Sequence, residues 1–156
     1  MREIILRDFF SGHATALALA NDVLGSVKQV GPIMSLVEIE DMDEEFGVTR
    51  AMLVSLCDAV LSGKFPPQGL STIGFTLVAS DKFVWDAEDV VGDVIHDWSC
   101  PEINYPLTLG NVQRFKNWLL QVEPYPAKPA LKSASGDERL ISRTEKKSLP
   151  RRQSGK

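Results

Sequence analysis

Residues 49–63 read TRAMLVSLCDAVLSG, and their pattern decides the fold class. Met52, Leu53, Leu56, Cys57, Val60 and Leu61 fall as adjacent pairs every four residues, the stripe that a helix turns toward a core. Thr49 can accept one of the free N–H groups of the first turn, and Gly63 can take the left-handed conformation that stops the helix.

Working outward, Pro66-Pro67 forces a turn, and Leu70, Ile73, Leu77 and Val78 set up a second stripe. A third helix is predicted from a cap at Asp86. Val90, Val91, Val94, Ile95 and Trp98 point inward there, with Glu88, Asp89, Asp93 and, near the edge, Asp97 on the opposite face. Pro101 biases Cys100 away from helix and ends that element. Thr108 is the predicted cap of the last helix, whose core residues are Val112, Phe115, Trp118 and Leu119.

Toward the N-terminus, Ile4, Ile5, Leu6, Phe9 and Phe10 predict a short helix broken near Gly12. The alanine- and leucine-rich span 14–27 predicts another, stopped by Gly31-Pro32. Residues 33–39 are too few for periodicity to separate a strand from a helical turn. The expectation is therefore all-α: an antiparallel bundle of about five to six helices with short connections, and at most one short strand near 33–39.

The 156 residues carry a formal net charge of -4, which hides an asymmetry. Residues 1–123 hold 8 Lys/Arg against 18 Asp/Glu, a net of -10, while residues 124–156 hold 9 against 3, a net of +6. Prolines at 124, 126 and 129 open the second part, and Ser, Gly, Lys and Arg dominate it. Such a composition buries too little apolar surface to offset chain entropy. The reading is an acidic helical domain over 1–123, followed by a basic, proline-initiated disordered tail over 124–156.

Several function classes lose support at this stage. No apolar run reaches the length of a spanning helix, and Met1 to Phe10 lacks the apolar core of a signal peptide, so no membrane role is expected. Two cysteines, Cys57 and Cys100, are too few for a secreted disulfide framework, which points to the cytoplasm. No phosphate-cradling glycine loop and no Gly-x-Ser-x-Gly elbow occurs. Nucleic acid is a poor fit for the tail, whose one aromatic, Tyr125, leaves little for base stacking.

His96 and Cys100, four residues apart at a helix end, are the one cluster with metal or thiol potential. Asp93, Asp97 and Glu102 crowd it, and negative charge raises a thiol pKa, against a nucleophilic role. No catalytic residue, metal ligand or cofactor is assigned.

The acidic surfaces are more distinctive. Glu38, Glu40, Asp41, Asp43, Glu44 and Glu45 place six carboxylates in eight positions, with Met42 and Phe46 as candidate apolar anchors. Asp89, Asp93 and Asp97 form a second candidate patch, and Glu102 and Tyr105 sit in a proline-bounded loop suited to recognition. A field of one sign steers an oppositely charged partner and raises its association rate.

The Asp-x-x-x-Ser-Gly pattern at Asp58 to Gly63, with Ser80-Asp81-Lys82-Phe83 after the next helix, resembles the small helical colicin-type immunity proteins of bacteria. The likeness covers residues 49–86. It implies a bundle that binds a cognate toxin, often a basic nuclease, and masks its cleft with acidic side chains. The sequence thus reads as a non-enzymatic acidic protein, monomeric or weakly dimeric, that docks on a basic protein partner. The alternatives are a small metal- or thiol-dependent enzyme centred on His96 and Cys100, or an assembly protein.

Overall fold

The structure, a computed structural model, describes residues 1–126. The rest of the basic segment expected as a disordered tail, 127–156, lies outside the described residues. Among the described residues six helices are present: α1 (Glu3–Phe10), α2 (Ala16–Ser26), α3 (Arg50–Leu61), α4 (Gly69–Ala79), α5 (Val90–Ser99) and α6 (Leu109–Leu119).

Their ends follow local chemistry. Thr15, Thr49 and Thr108 each accept an N–H of the first turn, from Ala18, Met52 and Asn111. Gly63, at φ 77°, closes α3 in the left-handed region where a side chain would be strained. Asp86 is not the cap of α5. It accepts the N–H of Glu88 at 2.9 Å in a local turn, and Asp89 caps the helix through Val91 N–H at 3.2 Å.

The all-α expectation needs correction, because among the described residues four short strands make two small sheets. β1 (Val27–Gln29) pairs antiparallel with β2 (Ser35–Val37), and β3 (Phe46–Gly47) pairs parallel with β4 (Phe83–Val84). Val27, expected at the end of a helix, starts a strand because Val37 stands opposite it and the chain reverses through Gly31-Pro32.

The core lies between the helices. α4 packs most extensively on α5, and α3 on α6. Gly74 makes the first pairing possible, since a Cβ there would stand 2.6 Å from the Ser99 backbone nitrogen. Lys116 of α6 pairs with Asp58 of α3 at 2.6 Å across the second. Trp98, Phe115, Phe83, Leu56, Ile73 and Leu77 are fully enclosed, and no helix of the described residues is long and apolar enough to cross a membrane.

Candidate functional site

The acidic run is held at fixed points and displayed between them. Glu40 donates its N–H to the Met1 carbonyl at 2.8 Å and accepts that of Glu3 at 2.9 Å. Met42 gives its N–H to the buried Glu3 carboxylate at 3.2 Å, and Phe46 N–H reaches the Lys82 carbonyl at 2.8 Å. Asp41, Asp43, Glu44 and Glu45 stand exposed around these anchors. Among the described residues, Asp41, Asp43 and Glu44 enter no ion pair, while Glu38 pairs with Lys28 at 2.7 Å. The ammonium of Lys28 pulls the Glu38 carboxyl below its ordinary pKa.

Two expectations about this run fail. Met42 is only 5% exposed, and Phe46 stacks on Phe10 and meets the edge of Phe83, with ring centroids 6.3 and 6.1 Å apart. The Met42 side chain belongs to the interior, and the half-buried Phe46 ring is turned onto Phe10 and Phe83. The core claims them because each can bury more apolar surface inward than a solvent contact would cover.

The apolar surface that does face solvent lies just upstream. Val30, Ile33, Met34 and Leu36, on and around the β1–β2 hairpin, are 54%, 98%, 63% and 49% exposed. Beside the hairpin base runs an open groove of about 670 Å³ between α2 and the start of the acidic run. Ala18, Asn21, Gly25 and Ser26 line one wall, and Glu38, Ile39 and Glu40 the other. Arg2 and Asp22 close its end with a 2.8 Å ion pair.

The second acidic set is dismantled as a patch. Asp89 is engaged by the Arg50 guanidinium, with Nε 3.0 Å from Oδ2, which holds its carboxyl below the usual range. Asp93 is half-buried in the first turn of α5. Asp97 is fully buried and accepts the Tyr125 hydroxyl at 2.7 Å, so it cannot meet a partner. Burial and that carboxylate push the tyrosine pKa up. The body therefore reaches at least Tyr125, inside the segment assigned to the tail; its ring meets Trp118 with centroids 5.0 Å apart.

Glu102 is exposed in its loop, as a recognition residue must be. Tyr105 is half-buried: its ring packs on Phe115 and Trp118 at 6.0 and 5.4 Å, and the Arg114 guanidinium lies 5.7 Å from its centroid. The structural account of this tyrosine, a cover on the α6 aromatics, fits that packing.

His96 meets the edge of the Trp85 ring at 5.6 Å, and the Cys100 thiol accepts from Ser99 Oγ at 3.7 Å. Among the described residues, no group of three His, Cys, Asp or Glu side chains is placed to hold a metal ion. The other thiol, Cys57, is enclosed in α3, and burial pushes its pKa up to about 12. No family model, no curated protein and no solved structure matches the chain.

Sequence reasoning missed the hairpin and the Asp97–Tyr125 contact. The first had a signal: Val27-Lys28-Gln29-Val30 and Ile33 to Val37 flank Gly31-Pro32, two β-prone runs around a turn dipeptide. The second had none, because 28 positions separate the partners.

Proposed function

We propose that this chain is a non-enzymatic binding protein that docks on a basic protein partner through the acidic run at 38–45 and the surface beside it. The observation that carries the reading is the fixed display of Asp41, Asp43, Glu44 and Glu45 between backbone anchors at Glu40, Met42 and Phe46. Carboxylates presented on a restrained backbone lose less conformational freedom on binding than the same charges on a loose loop. Their common sign steers a cationic surface toward them. The helices are read as an antiparallel bundle that serves as the rigid support.

A toxin nuclease is one basic surface of this kind, which the resemblance to immunity proteins would supply. The second patch drops out of the proposal, and Glu102, exposed in the loop after α5, stays a candidate contact.

The test is affinity capture of the partner from the native host, followed by titration of the purified pair. At about 50 mM salt, where the screening length exceeds 10 Å, binding is tight. It weakens about tenfold or more by about 300 mM. Replacing Asp41, Asp43, Glu44 and Glu45 by their amides removes most of that salt dependence. An affinity indifferent to salt overturns the reading.

A further inference from the structure

We propose that the exposed face of the β1–β2 hairpin is the short-range anchor of this contact, and that its occupant is an extended segment of a cationic protein with apolar residues at alternate positions. This rests on the docking reading above and deepens it by naming the surface and the chemistry of what it holds.

The pairing register assigns the faces. Lys28 stands opposite Leu36, and two positions nearer the turn Val30 donates its N–H to the Met34 carbonyl at 3.0 Å. Side chains alternate along a strand, so Lys28, Val30, Met34 and Leu36 share one face, with Ile33 at the tip. Three of the four are apolar and about half exposed or more. Leu24 of α2, 77% exposed, lies three residues before β1. A run of large apolar side chains left open in this way marks a contact surface.

The backbone provides a second element of recognition. The bonds Glu38 N–H to Ser26 carbonyl and Val30 N–H to Met34 carbonyl fix which positions pair inward. Ser35 and Val37 alternate with those positions, so their N–H and C=O groups point outward along β2. Among the described residues no third strand lies beside them. An edge of this kind accepts an added strand, its main chain giving affinity and its alternate side chains giving specificity.

Charge selects the occupant. Glu38 follows β2 on the same face as Leu36, and the rest of the acidic run continues from it. A second copy carries the same net charge of -10 over residues 1–123, so two copies joined hairpin to hairpin bring like-charged bodies together. Like charges across an interface oppose that pairing. An extended segment with Lys or Arg beyond its apolar residues meets both the face and the run.

The experiment uses the full chain and a short synthetic peptide of alternating Val and Thr that ends in a run of lysines. Binding is read by fluorescence anisotropy at low and high salt. Two control peptides carry a glutamate run in place of the lysines, or Ser in place of each Val. The Val/Thr-lysine peptide binds, and both controls bind at least tenfold more weakly. Met34→Ser with Leu36→Ser weakens it about tenfold while the urea unfolding midpoint stays put.

Unchanged affinity in that double variant, with salt-sensitive binding intact, overturns the hairpin assignment and leaves the docking reading standing. If neither the lysine peptide nor any basic partner binds, both fall. A concentration-dependent dimer in light scattering, abolished by the same double variant, identifies a second copy as occupant and overturns the proposal.

Discussion

The two acidic sets, 38–45 and 86–97, look alike in sequence and do opposite work. In the first, the side chains between Glu40 and Phe46 project outward while the backbone and Met42 are tied to the body. In the second, three carboxylates are consumed by the fold: Asp86 makes a turn, Asp89 caps α5 and binds Arg50, and Asp97 is enclosed beneath Tyr125. Formal charge is the same currency in both. What separates them is whether a neighbour arrives to satisfy the carboxylate, and that is set by tertiary placement.

The sharpest way to break this contrast is to remove a carboxylate from each set. Asp97→Ala strips the Tyr125 hydroxyl of its acceptor inside the body and removes a fully buried carboxylate. It is expected to cost about 3 kcal/mol in urea unfolding, the range for truncating one member of a buried hydrogen-bonded pair. Asp43→Ala is expected to change stability by less than about 0.5 kcal/mol, the usual range for an exposed site. Equal costs at the two positions would erase the distinction.

Asp89 sharpens it at an intermediate level, since this residue is half-buried and holds two roles. Asp89→Ala is expected to cost about 1 kcal/mol for the lost cap of α5, and Asp89→Asn, which can still cap, to recover most of it. The pH dependence has a definite sign. Arg50 lowers the folded-state pKa of Asp89 below its unfolded value. The contribution is therefore present above about pH 4, the unfolded carboxyl range, and fades as pH falls through the lower folded-state value. Arg50→Gln should flatten that acid limb in a pH series of unfolding midpoints; an unaltered limb would show that the ion pair does not hold the carboxylate.

How much of this was legible follows from distance along the chain. Helix periodicity and capping are local, so Thr49, Gly63 and Thr108 announced their roles before any coordinates. Asp86 and Asp89 are both competent caps three residues apart, and local pattern does not choose between them. The pairing of Phe46–Gly47 with Phe83–Val84 is two residues long and joins distant segments, so no period could reveal it. Asp97 reads as surface on a helical wheel because Tyr125, which covers it, comes from beyond α6. Asp97 was misplaced because its cover comes from elsewhere in the chain, and Asp86 because two local caps compete.

The smallest expected effect concerns the hairpin, and it separates support from display. Val30, Met34 and Leu36 are about half exposed or more, so replacing them removes little surface already withdrawn from water. Val30→Thr, Met34→Ser and Leu36→Thr together should shift stability by less than about 0.5 kcal/mol. A two-stranded ribbon alone is marginal in water, and the amides of Lys28 and Leu36 should exchange with solvent far faster than those of Leu77 in α4. Protection at Lys28 matching that at Leu77 would place the hairpin inside the cooperative core. An apolar element with so small an expected share in folding, left uncovered beside a fixed acidic run, is what the proposed contact surface requires.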